Sequence, residues 1–164
     1  MGFEQQLARM LSNASGLAWK RTKAGDVQPR GDVECVSRLI SDPWMRMFVE
    51  AKAHSSLNPW HILEPTSQVK DWWAKACDEA HAAGLLPCLF MRIKGRGVVV
   101  AIPYSLDVLL AKVTRADLGR RWIVEAHPLA WSYSEAVRIV DAAHLLPALP
   151  AEQRVVQIAD EVLG

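Results

Sequence analysis

The sequence predicts a mixed α/β (α+β) protein in which helices flank a mixed central sheet, with the element order αβββαβ. Two observations predict this class. Along the chain, the spacing of apolar residues changes between the helical period and short runs rich in β-branched residues. The 164 residues are 51% hydrophobic and 23% charged, which is the composition of a folded domain with one core. We therefore expect a single compact domain.

The N-terminal segment is predicted to form one helix and one short strand. Apolar residues recur at helical spacing over residues 3–12 and predict an amphipathic helix that Gly16 terminates. Residues 19–30 are basic and contain glycine and proline. We interpret them as a short strand followed by a loop.

A β-hairpin is predicted next. Residues 33–40 and 45–52 are rich in β-branched and apolar residues, as strands are. The cluster Ser41, Asp42 and Pro43 between them is typical of a turn. We interpret the two runs as the antiparallel strands of one hairpin.

The middle of the chain predicts a long helix and a second hairpin. The helix covers residues 66–83, with a hydroxyl residue available as its N-terminal cap and Gly84 as its left-handed C-terminal residue. Residues 85–93 and 98–104 are two further strand-like runs, joined by a basic turn that contains two glycines. The first two-thirds of the chain is therefore predicted to run helix, strands, helix, strands.

The pattern is weaker in the last third of the chain. The predicted elements are a short helix after residue 105, then a strand at 122–125, a helix at 134–143 and a terminal helix at 151–163. We expect residues 1–104 to form the core and residues 105–164 to form a mostly helical extension packed on it.

The net charge of +1 gives little support for nucleic-acid binding by the molecule as a whole. The distribution of charge is more informative. One segment contains four basic residues around a single acid, Asp26, and a second basic cluster lies at residues 92–96. Either cluster could contact phosphates, although a solvated loop is at least as common an explanation for such a run.

Targeting and cysteine patterns point to the cytoplasm. No apolar run approaches the roughly 20 residues that a membrane helix needs, and the N-terminus does not resemble a secretory signal. The three cysteines form no C-x-x-C pair and leave an odd thiol, which suits a reducing compartment. We expect them to be packing residues and the protein to have no membrane partner.

Two carboxylates and a lysine form the candidate active site. Strand alternation places Glu50 and Lys52 on one face, about 7 Å apart along the chain. If Asp32 pairs with Glu50 in an antiparallel hairpin, the turn must centre on residue 41, where the turn cluster lies. Cross-strand neighbours have Cβ atoms about 5 Å apart, so both carboxylates could share a divalent cation such as Mg²⁺. The amine could orient or deprotonate a water molecule, or neutralise a phosphate.

These residues carry a resemblance to a known family. The segments are Gly31 to Val33, Val49 to Lys52, Trp72 and Trp73 with Ala76, and Pro87 to Arg92. Together they resemble the PD-(D/E)xK nuclease superfamily, and in particular the phage-type Holliday junction resolvases, over about residues 3–104. The resemblance implies a restriction-endonuclease-like core. Two departures are that Gly31 replaces a proline and that Lys75 stands where phage-type relatives carry glutamine.

The resemblance also implies roles for individual residues. Asp32 and Glu50 would bind Mg²⁺, or Mn²⁺ in its place, with help from the Ala51 carbonyl. Lys52 would be the catalytic lysine, and Glu4 would be the helix-borne acid beside the site, although a first-turn glutamate also favours the helix dipole without a metal. The residues expected to contact DNA are Lys20, Arg21, Lys23, Arg30, His54 and Lys75.

The predicted function is hydrolysis of DNA phosphodiester bonds, most specifically in a branched or four-way junction. Paired cuts on two strands imply a two-fold symmetric homodimer. A nicking or restriction-like duplex endonuclease is the alternative within the enzyme class. A catalytically silent DNA-binding module with the same fold is the alternative outside it.

Overall fold

In the computed structural model the described residues are 2–23, 31–36, 46–54, 57, 61, 66–93, 97–114, 122–128 and 131–142. Their helices are α1 (Phe3–Ser15), α2 (Ser67–Ala82) and α3 (Tyr104–Thr114). Their strands are β1 (Trp19–Arg21), β2 (Val33–Cys35), β3 (Met47–Ala53), β4 (Leu86–Ile93), β5 (Gly97–Pro103), β6 (Trp122–Ala126) and β7 (Val137–Asp141). Within this part of the chain, no helix combines the length and apolar character needed to cross a bilayer.

A five-stranded mixed sheet forms the centre of the fold, with the strand order β3-β4-β5-β7-β6. Strands β3 and β4 are parallel, and the other neighbouring pairs are antiparallel. Strands β1 and β2 form a separate antiparallel pair beside it. The predicted mixed α/β class, with helices flanking a mixed sheet in a restriction-endonuclease-like arrangement, is confirmed.

The two long helices begin and end where the sequence predicts. Gly16 has φ 73° and donates its N–H to the carbonyl of Ser12, which ends α1. The Thr66 hydroxyl accepts a 3.3 Å hydrogen bond from the Val69 N–H and caps α2. Gly84, with φ 69°, follows the last turn of α2 in the left-handed conformation.

The sheet separates two apolar layers, because successive side chains of a strand point to opposite faces. On one face, α1 packs against Val49, Phe90 and Val100. On the other face, α2 packs against Leu89 and Met91 among others. Alternate residues of β3 are therefore assigned to opposite layers, and this alternation positions the candidate site.

The three cysteines are free thiols, as expected. Cys77 and Cys88 are buried, one in each apolar layer. Burial raises the pKa of the Cys77 thiol to about 12, so the thiol stays protonated and unreactive at neutral pH. The interpretation of these residues as packing residues is confirmed.

The hairpin predicted between residues 33–40 and 45–52 is wrong. Strand β2 pairs with β1, with Lys20 opposite Glu34, and the chain meets β3 through a parallel bridge between Gly31 and Val49. The proposed turn at Asp42 lies outside the described residues. In this pairing the Lys20 and Glu34 side chains lie opposite each other and form a 3.2 Å ion pair.

The helix predicted at 134–143 is also wrong, because residues 137–141 form β7 between β5 and β6. Val137 and Ile139 pack on the α2 side of the sheet, whereas Val140 and Ala142 pack on the α1 side. This two-residue alternation is that of a strand buried on both faces. The predicted strand at 122–125 is confirmed as β6, and the predicted terminal helix lies outside the described residues.

A partly buried polar network connects α3 to β6 and β7. The Arg138 guanidinium donates to Asp107 at 2.7 Å and to Glu125 at 2.8 Å, and it lies 4.4 Å from the centre of the Tyr104 ring. Asp107 has no exposed surface. Strands β6 and β7 belong to the same sheet as β3 to β5. The division of the chain at residue 104 into a core and an extension stays a prediction.

Candidate active site

Asp32 is fixed to β3 by two hydrogen bonds. Its backbone N–H donates to the carbonyl of Val49 at 2.7 Å, and its Oδ2 accepts from the backbone N–H of Ala51 at 2.8 Å. The first of these is a backbone contact and the second involves the side chain, so both the position and the direction of the carboxylate are defined. Asp32 therefore lies directly beside the segment that contains Glu50.

Gly31 makes this approach possible. Its φ of +92° is unfavourable for residues with a side chain, and an added Cβ would lie 2.3 Å from the carbonyl oxygen of Val49. Both the backbone conformation and the available space therefore require glycine here. The family pattern has a proline at this position. Here Gly31 takes its place and lets the backbone of this segment contact the backbone of β3 at Val49.

Glu50 and Lys52 lie together on the α2 face of β3. Glu50 is 4% exposed, and its Oε1 is 3.4 Å from the Nζ of Lys52. The Lys52 side chain is 27% exposed, so its ammonium group lies at the boundary with solvent. The predicted carboxylate and amine are thus brought together, with the amine on the accessible side.

The electrostatics of Glu50 indicate surplus negative charge. Burial raises the pKa of Glu50, and the charges of Asp32 and Glu79 raise it further, while Lys52 acts in the opposite direction. The negative charges of Asp32 and Glu79 thus act on the Glu50 carboxylate, and Lys52 is the cation that lowers the pKa of Glu50. A divalent cation would remove the repulsion between Asp32 and Glu50.

The described residues fit a Mg²⁺-type ion that keeps several of its waters. No group of three histidine, cysteine or acidic side chains in the described ranges is placed to hold a metal. The predicted ligands are two carboxylates and the Ala51 carbonyl, and Mg²⁺ is commonly bound through one or two carboxylates with water completing its octahedron. Ala51 donates its N–H to Asp32 and directly follows Glu50 in β3, so it contacts one acid and adjoins the other.

The raised pKa predicts that Glu50 reduces the stability of the metal-free protein. Because the folded state disfavours the ionised carboxylate, the cost is absent well below the usual pKa of 4.5, grows as the pH rises from there to the raised pKa, and is constant above it. In EDTA, we expect Glu50→Gln to match the wild type near pH 4 and to melt about 2–4 °C higher at pH 7.5. Differential scanning calorimetry measures both.

The same experiment with Mg²⁺ tests the metal role of Glu50. We expect Mg²⁺ to raise the Tm of the wild type and to leave that of Glu50→Gln unchanged, since an ion stabilises only the fold that binds it. Asp71→Asn, which removes an exposed carboxylate of α2, is the control and should respond as the wild type does. If Glu50→Gln melted below the wild type at pH 7.5 in EDTA, the predicted destabilisation of the metal-free protein by Glu50 would be wrong.

Glu4 approaches from the opposite face. It lies in the first turn of α1, and its Oε2 is 2.5 Å from the Nε of Arg21. The two residues line a cavity of about 280 Å³ together with Gly2, Phe3, Gln5, Ala51 and Ala53. Glu4 is therefore close to Ala51 on the α1 side of β3, while Glu50 and Lys52 lie on the α2 side.

Three of the residues predicted to contact DNA form exposed ion pairs. Lys20 pairs with Glu34 at 3.2 Å, Arg21 pairs with Glu4, and Lys75 pairs with Glu79 at 3.8 Å. Exposed pairs of this kind contribute little stability, so a phosphate can compete for each cation. The remaining predicted residues are Lys23 and His54, which are exposed, and Arg30, which lies outside the described residues.

Two side chains of α2 that the sequence did not assign to the site lie near it. The Trp72 ring centre is 5.9 Å from the Lys52 Nζ, and the charge of Glu79 acts on Glu50. The spacing of Trp72, Lys75 and Glu79 places all three on one face of a helix, a signal that was present in the sequence. That this face of α2 packs over β3 is set by the tertiary fold and could not be predicted from the helix alone.

One of three comparisons with known proteins gave a match. Neither the comparison with curated proteins nor the comparison with solved structures gave a match. Among family models, the one described as "Phage putative PDDEXK endonuclease" matches residues 1–126. The matched range includes Asp32, Glu50 and Lys52 and extends beyond residue 104 into β6. The chain therefore belongs to this phage PDDEXK endonuclease family.

Proposed function

We propose that the protein is a metal-dependent DNA endonuclease that hydrolyses phosphodiester bonds at a site formed by Asp32, Glu50 and Lys52. One observation carries this proposal. The Asp32 carboxylate is bound to the backbone of the strand that holds Glu50 and Lys52, so two acids and an amine converge from separate segments. This is the charge pattern that phosphodiester hydrolysis requires.

PD-(D/E)xK nucleases generally use divalent metals. We assign Mg²⁺, with Mn²⁺ able to replace it, to Asp32, Glu50 and the Ala51 carbonyl. When bound, the ion would offset the charge that develops on the attacked phosphate and favour a nucleophilic water at neutral pH. The Asp32 hydrogen bond to Ala51 holds the first carboxylate in a fixed direction, and burial holds the second.

Lys52 supplies the cation that faces the substrate. Its ammonium group is anchored 3.4 Å from Glu50 and retains donors that can reach a non-bridging phosphate oxygen or the attacking water. Because the group is partly exposed, DNA can approach it from solvent. As the ammonium ion, Lys52 would orient the water or neutralise the phosphate in the transition state, and only as the neutral amine would it accept the proton of the water.

The substrate is proposed to be DNA with a branched or four-way structure, acted on in the cytoplasm of the host cell. The phage-type pattern around Asp32 and Glu50 supports the junction. A junction requires paired cuts, so we propose a homodimer that presents two sites. Phosphates would be bound by the basic residues Lys20, Arg21, Lys23, Arg30, His54 and Lys75. Glu4, on the α1 side of β3, would be a supporting acid.

A panel of DNA substrates tests the proposal. We expect the purified protein to cut a four-way junction in Mg²⁺ or Mn²⁺ and to cut nothing in EDTA. Cleavage of linear duplex as efficiently as of the junction would contradict junction resolution and favour a nicking or restriction-like activity. Absence of cleavage on junction, duplex and single strand in either metal would contradict the endonuclease and favour a silent DNA-binding module. Sedimentation as an 18.2 kDa monomer would contradict the homodimer.

A further inference from the structure

Two neighbouring tryptophans on α2 have different surroundings. Trp73 is 1% exposed and packs edge-on against Trp131 and Tyr133, at ring-centre distances of 5.5 and 5.4 Å. Trp72 is only half-buried, and its ring centre lies 5.9 Å from the Nζ of Lys52. Trp73 is therefore a core residue, whereas Trp72 lies at the edge of the site.

The Lys52 ammonium group has neighbours from two elements. Glu50 contacts it at 3.4 Å from the same strand, and the Trp72 ring faces it from α2. A lysine side chain has four flexible carbon–carbon bonds, and a single ion pair restrains only its charged end. An ammonium group within about 6 Å of an indole is attracted to the ring, so the second neighbour narrows the accessible directions.

The position of Trp72 over the site has independent support. Trp72 packs against the apolar layer that contains Leu89 and Met91 of β4. These two residues are the partners of Glu50 and Lys52 in the pairing of β3 with β4, so they lie beside the site. The helix face that carries Trp72 is therefore directed at the pair formed by Glu50 and Lys52.

We propose that Trp72 is a positioning residue for Lys52: its ring holds the ammonium group beside Glu50, in the orientation from which it acts on the phosphate. The role rests on the proposed function of Lys52. It does not require Trp72 to touch DNA. An aromatic face of any kind at this position satisfies the requirement, and an aliphatic side chain of similar bulk does not.

The contact itself can be measured without DNA or metal. Reductive methylation with ¹³C-formaldehyde keeps the lysine charge and labels each amine, and the Lys52 signal is assigned from the spectrum of Lys52→Arg. The ring current of Trp72 should displace this signal from those of solvent-exposed lysines. We expect Trp72→Leu to abolish the displacement, Trp72→Phe to retain most of it, and Asp71→Ala, an exposed neighbour on α2, to leave it unchanged.

Kinetics on the unmodified proteins tests the consequence. We expect Trp72→Leu to lower kcat for DNA cleavage by about tenfold with KM unchanged, and Trp72→Phe to recover most of the rate. Equal losses in Trp72→Leu and Trp72→Phe, a change confined to KM, or an undisplaced Lys52 signal in the wild type would each overturn the proposal. A wild type with a displaced signal that cuts no DNA would overturn the proposed function, and the positioning role with it, while the contact stands.

Discussion

Replacement of Lys52 by alanine is expected to lower kcat for DNA cleavage by about 10²–10³-fold, the usual cost of removing one charge-stabilising donor from an active site. Its Nζ is 3.4 Å from the buried Glu50 carboxylate and faces solvent, where the phosphate would lie. Alanine leaves the β3 backbone intact, so DNA binding should persist. Single-turnover cleavage, with binding measured in Ca²⁺ or EDTA, separates the two steps.

Lys70→Ala is the matched control for this variant. Lys70 is an exposed lysine of α2, so its loss changes the net charge by the same amount without changing the site. We expect the control to cleave at the wild-type rate. Equal activity of Lys52→Ala and Lys70→Ala would refute the assignment of Lys52, and loss of DNA binding together with cleavage would show that Lys52 acts in affinity instead.

Gly31→Ala is expected to cost about 2–4 kcal/mol of unfolding free energy and to abolish cleavage. The added Cβ would lie 2.3 Å from the carbonyl oxygen of Val49, which is backbone and cannot rotate away. Relief of that contact requires the segment to move off β3. Such movement would break the hydrogen bond between Asp32 and Ala51 and displace the first carboxylate.

Gly97→Ala separates the two causes of this loss. Gly97 has φ +94°, close to the +92° of Gly31, but a Cβ there would have no atom within 4 Å. We expect this control to show only the cost of the backbone conformation, about 1 kcal/mol, and to keep its activity. Urea unfolding of both variants gives the difference. A Gly31→Ala protein as stable and active as Gly97→Ala would show that the close approach to β3 is not needed.

The sequence predicted α1 and α2 well because their signals are local. The apolar period, Gly16 at the end of α1 and the cap at Thr66 each act within a few residues. Strand partners are not local in this way. The parallel pairing of β3 with β4 spans about 40 residues and leaves no trace in either strand alone.

The hairpin interpretation failed, yet Asp32 and Glu50 lie close together in the structure. An antiparallel hairpin and the observed parallel bridge between Gly31 and Val49 both bring residue 32 beside residue 50. The sequence pattern therefore indicated which side chains meet while leaving the strand direction undetermined. Gly31 was the available signal, since a glycine immediately before a strand commonly marks a close backbone approach.

The error at residues 134–143 has a different origin. Alanine and apolar residues there satisfy a helical period as well as an alternating one, and short apolar runs do not distinguish the two. Contacts on both faces of the sheet decide the outcome, since Ile139 packs in one layer and Val140 in the other. Only a strand delivers adjacent residues to opposite layers in this manner.

The pair of hydrogen bonds at Asp32 has a consequence for association between molecules. Strand β3 is the last strand on its side of the five-stranded sheet, and unprotected outer strands recruit strands from other chains into aggregates. Here the carbonyl of Val49 and the N–H of Ala51 are already engaged by Asp32. The acid assigned to metal binding thus also blocks this stretch of the sheet from intermolecular β-pairing.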